Sequence, residues 1–278
     1  MSATPARNIF LTGTDKDDLV DIKGKVIDEV AKATISTKIK NVFGVGDPAA
    51  GSVTYDRFKS AVSNDYGTAR TAGKGDALKN TGKVTNNIDD NQELVEEYEN
   101  SDVKRFGIVD LIDRRHTSQS SSMARYLDRA YFAEAEGVAT NLTGLLADDP
   151  IQDSLETVIQ NVETVENDWV DGVDRAMIAV TVKPSIYGKL ANYLNEVKNE
   201  ITGETEFLFN GGVRVYSNHR QTKDIVAMAE GAIAQDVNVY DYDPARIGLS
   251  NAVEGSLFYD QGTKAVMPDL VFAANLEV

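Results

Sequence analysis

The feature that most limits what this chain can become is a polar, glycine-punctuated stretch from residue 46 to about 118 whose opposite charges lie in separate blocks. Its rising half carries Arg57, Lys59, Arg70, Lys74, Lys79 and Lys83, diluted by Asp56, Asp65 and Asp76. Its returning half, from Val84 to Asp102, carries Asp89, Asp90, Glu93, Glu96, Glu97, Glu99 and Asp102 and no base. Apolar surface is too sparse here to offset the entropy of ordering such a stretch against its own domain. An arm with segregated charge can instead lie on a complementary partner surface. A compact enzyme has little reason to carry one, whereas a subunit that clasps its neighbours does.

The rest of the composition is that of a folded protein. With 42% hydrophobic and 26% charged residues, 278 residues suffice for one large or two modest cores. The formal charge of −16 argues against gripping nucleic-acid phosphates. It is compatible with enclosing nucleic acid, because a mildly repulsive inner wall lets a packed polymer slide. The absence of cysteine removes disulfides, thiolate nucleophiles and sulfur-ligated zinc. The opening MSATPARNIF shows no signal peptide and no run approaches membrane-spanning length, so a chain made and folded in a cytoplasm is expected, with no membrane partner.

Along the chain, Leu19, Ile22, Val26, Ile27, Val30 and Ala33 recur at helical spacing. They predict an extended terminal arm with a short helix over residues 1–45, broken by Gly44, Gly46 and Pro48. Residues 46–118 read as a long hairpin: one strand through Val53 and Tyr55, a loose tip from Tyr66 to Gly82, and a β-rich return through VKRFGIVDLID. Ser120, Ser121 and Ser122 then cap a helix of some 25 residues with Met123, Leu127, Tyr131, Val138, Leu142 and Leu145 on one stripe, spanning roughly 35–40 Å. Asp149-Pro150 starts another, through Ile151, Leu155, Val158, Ile159, Val162 and Val165. DRAMIAVTV reads as a buried strand, and Pro184 opens a helix through Leu190, Leu194 and Val197. Strands follow at Thr205–Phe209, at GGVRVYSN and in DIVAMAEGAIAQDVNVYDYD. A closing pair turns at Asp260–Gly262 before DLVFAANLEV. The fold class is α+β.

Catalytic motifs fail on spacing. GTARTAGKG, Gly67 to Gly75, has one residue too many for a phosphate loop and a glycine where the magnesium-binding hydroxyl belongs. GVGDPAAG lacks dinucleotide-binding spacing, and Pro48 blocks the helix that should follow. DKDDLVD has Leu19 and Val20 where a calcium loop needs an oxygen ligand and a glycine. Asp241 and Asp243 could form an acid–base pair, but aspartates before a proline turn more often cap backbone amides. His116 and His219 lie far apart with no nucleophile elbow; His116 reads as a surface residue and His219 as part of a strand-end loop. Trp169 is expected to plug a helix–strand junction. No catalytic residue, cofactor or metal ligand is assigned.

With the elements in that order, the chain resembles the major capsid proteins of tailed bacteriophages, the Hong Kong 97-like fold. DRAMIAVTVKPSIYGKLANYLNE is similar to the axial-domain strand and its proline-started helix, GGVRVYSNH to the strand after it, and DQGTKAVMPDLVFAAN to the closing hairpin. The resemblance implies an N-terminal arm at 1–45, an extended β-hairpin loop at 46–118, a spine helix of the peripheral domain at 119–149, an axial domain at 150–240, and a return to the peripheral domain at 241–278. It implies self-assembly into hexamers and pentamers of an icosahedral head around double-stranded DNA, in a virion assembled in a bacterial host cytoplasm. It also implies a portal and, with only some 45 residues ahead of the loop, a separate scaffolding protein. Arg70, Lys74, Lys79 and Lys83 are the expected basic inter-subunit contacts, with Glu93, Glu96 and Glu97 on the acidic side. No partner asparagine or catalytic glutamate marks the isopeptide cross-link of one family member. An encapsulin-type shell, a tail or adaptor component, and a cytoplasmic α+β enzyme using Asp241 and Asp243 stand as alternatives.

Overall fold

The computed structural model describes residues 13–59, 63, 65–73, 80–199, 204–247 and 252–277. The chain opens on helix α1 (Gly13–Ala33) and the short α2 (Ser36–Ile39). Strands β1 (Val45–Asp47) and β2 (Ser52–Phe58) lead to a one-turn helix α3 (Thr68–Ala72), and β3 (Asn80–Asn87) returns. Then come β4 (Asp90–Glu99), α4 (Asn100–Phe106) and the long α5 (Ile108–Val138). β5 (Thr140–Leu142), α6 (Ile151–Glu163), β6 (Ile178–Val182) and α7 (Pro184–Leu190) follow. The last stretch holds β7 (Asn195–Lys198), β8 (Thr205–Phe209), β9 (Val213–Ser217), β10 (Ile225–Ala229), β11 (Ile233–Val239), β12 (Ala245–Arg246), β13 (Ala252–Ala265) and β14 (Val271–Ala274).

Among the described residues the strands make three sheets. The largest is mixed, in the order β5-β14-β10-β6-β9-β8-β7. Its centre is apolar on both faces: every residue of β6, β10 and β14 is buried, as a strand covered on both sides requires. One core packs this sheet against Leu155, Val158, Ile159 and Val162 of α6 and against Tyr131, Phe132 and Ala135 of α5. A second sheet sets β13 between β11 and β4, with β12 on its far end. Its core joins Val253, Leu257 and Tyr259 of β13 to Leu19, Ile22, Val26 and Val30 of α1 and to Ile112, Met123 and Leu127 of α5. α5 therefore belongs to both cores, its first half to one and its last turns to the other. At 1.5 Å per residue its 31 residues span about 46 Å.

Several expected elements differ, each for a tertiary reason. The predicted returning strand over 103–111 is helical. Val103, Ile108 and Ile112 are β-branched, yet all are buried, at spacings that only helices bring to one core. Gly107, at φ +83°, turns α4 into α5. The spine helix therefore begins at Ile108, well before 119, and Ser120–Ser122 lie inside it. Ser120 Oγ donates back to the His116 carbonyl at 2.7 Å instead of capping. The stripe ends at Val138; Leu142 sits in β5. Where a short helix was expected, Gly13–Ala33 is a 21-residue helix lying on α5; residues 1–12 of the expected extended arm lie outside the described residues.

The hairpin is also shorter than 46–118. β2 and β3 pair from Ser52↔Asn87 to Phe58↔Asn80, whereas β4 leaves the hairpin and pairs with β13 over ten residues, from Ala252↔Glu99 to Gln261↔Asp90. The predicted turn at Asp260–Gly262 is absent, because β13 runs unbroken through it. α7 ends at Leu190, and Asn195–Lys198 is a strand instead of the helix expected through Val197. The boundaries at 150–240 and 241–278 do not coincide with the sheets either. β11 belongs with β13, and β14 lies beside β10 in the large sheet. No helix among the described residues is long and apolar enough to cross a membrane.

Candidate subunit interface

The hairpin is braced at its base. Val53, Tyr55 and Ile88 form a small core with Ala234 and Val266. Tyr55 Oη donates to Asp236 at 2.9 Å, and Asn86 Nδ2 donates to the same carboxylate at 2.7 Å. Burial, and then the Asp236 carboxylate beside it, push the Tyr55 phenol up. Arg57 reaches the turn ahead of β14 and the loop after α6: its guanidinium lies 2.6 Å from Asp269 Oδ2 and 4.4 Å from the centroid of the Trp169 ring. Burial, the largest single effect, raises the Asp269 carboxyl, but the hydrogen bond and charge of Arg57, a backbone amide and Asn167 together outweigh it and hold the group below its ordinary value. Lys59 pairs with Asp168. Trp169 thus stacks on the hairpin strand instead of plugging a helix–strand junction, and Arg57 is an intramolecular brace, not a partner contact. Sequence reasoning missed this, since Arg57, Trp169 and Asp269 meet only in the folded chain.

Beyond the brace most of the described residues of the hairpin are exposed. The hydrogen bonds described for its tip are internal, from Thr68 Oγ1 to the Asp65 carbonyl and from Thr71 Oγ1 to the Gly67 carbonyl. Tyr66 is fully exposed and Arg70 is exposed on α3. Lys83 is exposed on β3, opposite Asp56 in the register. Lys74 and Lys79 lie outside the described residues.

The acidic residues are on the body, not on the protrusion. β4 alternates between half-buried and exposed positions. Period two sends Leu94, Glu96 and Tyr98 inward and Glu93, Val95 and Glu97 outward. Glu93 and Glu97 thus share an outer sheet face with Phe258 of β13, a large apolar side chain that is 39% exposed. Glu96 is separated from them. It accepts from Arg115 at 2.7 Å, Tyr98 Oη at 2.9 Å and Gln119 Nε2 at 3.4 Å.

The Arg115 hydrogen bond lowers the Glu96 carboxyl below its ordinary value, against a smaller opposing effect of burial. A carboxyl lowered by folding stabilises fully above the ordinary range and loses that contribution as the pH falls through the lowered value. Arg115 is half exposed, so solvent screens the pair and its contribution is small. Glu96→Gln is expected to lower the melting temperature by about 2–4 °C at neutral pH. The gap between variant and parent should close on acidification below the carboxylate range. Thermal unfolding across that range checks it; an unchanged gap would count against the assignment.

The alternative carboxylate pair lies beside a concavity of about 910 Å³ lined by α1, β4, β13 and residues 240–243. Asp241 is 75% exposed and accepts from Lys23 at 2.7 Å; Asp243 is also exposed, and its carbonyl accepts from Ser256 Oγ at 3.1 Å. Both carboxylates face solvent and one is held by a lysine, an arrangement that suits surface electrostatics. His219 lies in the loop just after β9, as expected, and is exposed. His116 is not a surface residue: only 19% exposed, it sits between Glu29 of α1 and the Asp113 carbonyl of α5.

No family model matches the sequence, and no curated protein matches it either. Solved structures do. The virus-like particle from Pyrococcus furiosus shares 13% identity at a TM-score of 0.60, over 93% of this chain and 98% of that one. The capsid of cyanophage P-SCSP1u shares 12% at 0.56, over 86% of each. The mature capsid of bacteriophage PhiM1 shares 15% at 0.52, over 81% and 82%. Two cores bridged by one long helix, a braced hairpin ahead of it and near full-length correspondence in both directions describe one architecture: the chain has the Hong Kong 97-like α+β fold of tailed-bacteriophage major capsid proteins.

Proposed function

We propose that this chain is a structural shell subunit, not an enzyme, and that many copies close into the hexamers and pentamers of an icosahedral phage head around double-stranded DNA. The observation that carries the reading is the hairpin: braced by Arg57, Tyr55 and Asn86, it holds a fully exposed Tyr66 and an exposed Arg70 away from the body. A neighbour offers what such a tip lacks, since the outer face of the second sheet carries Glu93 and Glu97. Each exposed ion pair contributes only about 0–1 kcal/mol, and repetition around a closed shell multiplies it. Val42, Phe43 and Val45 add exposed apolar surface at 69–85%, as surfaces covered on assembly do. A scaffolding protein and a portal are the further partners, and the virion is the location. The net charge of −16 suits a wall that encloses DNA without gripping it.

The likeness to a virus-like particle supports a second reading, a nanocompartment around cargo protein. Particle contents separate them: nuclease-protected DNA in one case, co-purifying protein in the other.

Sedimentation of the purified chain should give capsomers or megadalton shells; a 30.3 kDa monomer at high concentration is the result that sinks the proposal. The loop has its own test. Phe58 pairs with Asn80, so replacing residues 60–78 by an Asn-Gly turn closes a regular hairpin. This variant is expected to melt within a few degrees of the parent and to form few or no particles. Shells as abundant as the parent's would remove the loop from assembly.

A further inference from the structure

The concavity of about 910 Å³ between α1, β4, β13 and residues 240–243 has the volume of a small-ligand site. Its floor is a row of side chains across the second sheet. The Tyr240 amide donates to the Phe258 carbonyl at 2.9 Å, and Phe258 stands opposite Glu93 in the register. Both rings are open to solvent, Tyr240 at 46% and Phe258 at 39%, and Leu19 and Val20 of α1 line the same space. Asp260 comes two residues after Phe258 and so points to the same face. It lies on the diagonal from Glu93, a separation of about 7–8 Å between neighbouring strands. Tyr240 Oη donates to Asp260 and steadies that carboxylate.

The charge of the lining selects the ligand. Glu93, Asp241, Asp243 and Asp260 bring four carboxylates to the groove. Lys16 lines it too and Lys23 holds Asp241 at 2.7 Å, so two negative charges remain in excess among the described residues. An anion would add to that excess, and a neutral apolar molecule would cover the carboxylates without compensating them. A hard metal ion needs several oxygens converging on one point, and no such group exists among the described residues. Here the carboxylates are spread around two aromatic rings, whose faces attract ammonium groups. A cation at each end with methylenes between them matches both the charge and the apolar floor.

We propose that this groove binds an aliphatic diamine or polyamine, its methylene stem lying on Phe258 and Val20 and its ammonium groups meeting Glu93 and Asp260. The site goes beyond the shell reading and does not depend on it. Glu97, the other outward carboxylate of β4, lies outside the lining.

Isothermal titration of the full-length chain with putrescine, at constant ionic strength, is expected to saturate at a single site per chain. Butylamine, which reaches only one of the two carboxylates, should bind about fivefold more weakly. Magnesium chloride at equal ionic strength should not displace the diamine. Phe258→Ala and Asp260→Asn should each weaken putrescine binding about fivefold. Both are changes at the open groove, and melting within a few degrees of the parent shows that the variants are folded. Heat that follows ionic strength alone, equal affinity for butylamine and putrescine, or undiminished affinity in both variants overturns the site. Diamine binding that fades as rising chain concentration drives association hands the groove to a second copy of the chain, and overturns it as well.

Discussion

Asp128→Ala is expected to cost about 3–5 kcal/mol of unfolding free energy, the loss typical of removing one partner from a buried ion pair. Asp128 is fully buried on α5 and bonded to Arg220, itself only 14% exposed. The same carboxylate accepts from the backbone amides of Ile35 at 3.1 Å and Ser36 at 3.0 Å, where the chain enters α2. One side chain thus ties the spine helix to the terminal arm and to the loop after β9. Truncation leaves Arg220 charged in a site drained of water and strands two amide donors, each of which costs free energy when buried alone. Asp128→Asn keeps the shape and loses the charge, so it should fall between parent and Asp128→Ala. Urea unfolding measures all three, and a double-mutant cycle with Arg220→Met isolates the pair. If Asp128→Ala unfolds within about 1 kcal/mol of the parent, the keystone role is wrong.

The second large effect is at Gly262. A Cβ there would lie 2.1 Å from the Asn87 carbonyl oxygen and 3.0 Å from Asn86 Oδ1. The nearest obstacle is backbone at the end of β3, so no rotamer change relieves it. Asn86 Nδ2 also donates to the Gly262 carbonyl at 2.9 Å, and β3 must back away from β13 to admit even a methyl group. Gly262→Ala is expected to destabilise by about 3 kcal/mol, at the upper end of the overpacking range, and Gly262→Val by more. Because this contact joins the hairpin to the second sheet, hydrogen exchange should rise first in β2 and β3. Gly24→Ala is the control: nothing lies within 4 Å of its Cβ position, and helix propensity alone predicts a gain of about 1 kcal/mol. Equal effects at both glycines would refute the packing argument.

Some elements were legible because their signal is local. α1, α6 and the buried strands β6, β10 and β14 follow from the spacing of large apolar side chains, and Pro184 marks the first turn of α7 by the proline ring's fixed geometry. The polarity of the hairpin was legible as well. Its extent was not. Glu93, Glu96 and Glu97 belong to one acidic run in the sequence, yet β4 pairing with β13 parts them, Glu96 inward to Arg115 and the other two outward. A period of two has no consequence until a partner strand decides which face is covered. The run from Val103 to Ile112 shows the same limit. Its residue types favour strand, and the burial that made it helix comes from α1 and β13, far away in sequence.

Composition and periodicity by themselves determined an α+β chain with a polar arm, no thiol chemistry and an acidic surface, because those properties are sums over residues or repeats along a few turns. Which strand the arm returns to, where the spine begins, that Arg57 braces while Arg70 stays exposed, and that a fully buried Asp128 meets Arg220 were decided only in three dimensions. Those pairings join residues roughly a hundred or more positions apart, and their free energy exists only once the chain between them has been ordered.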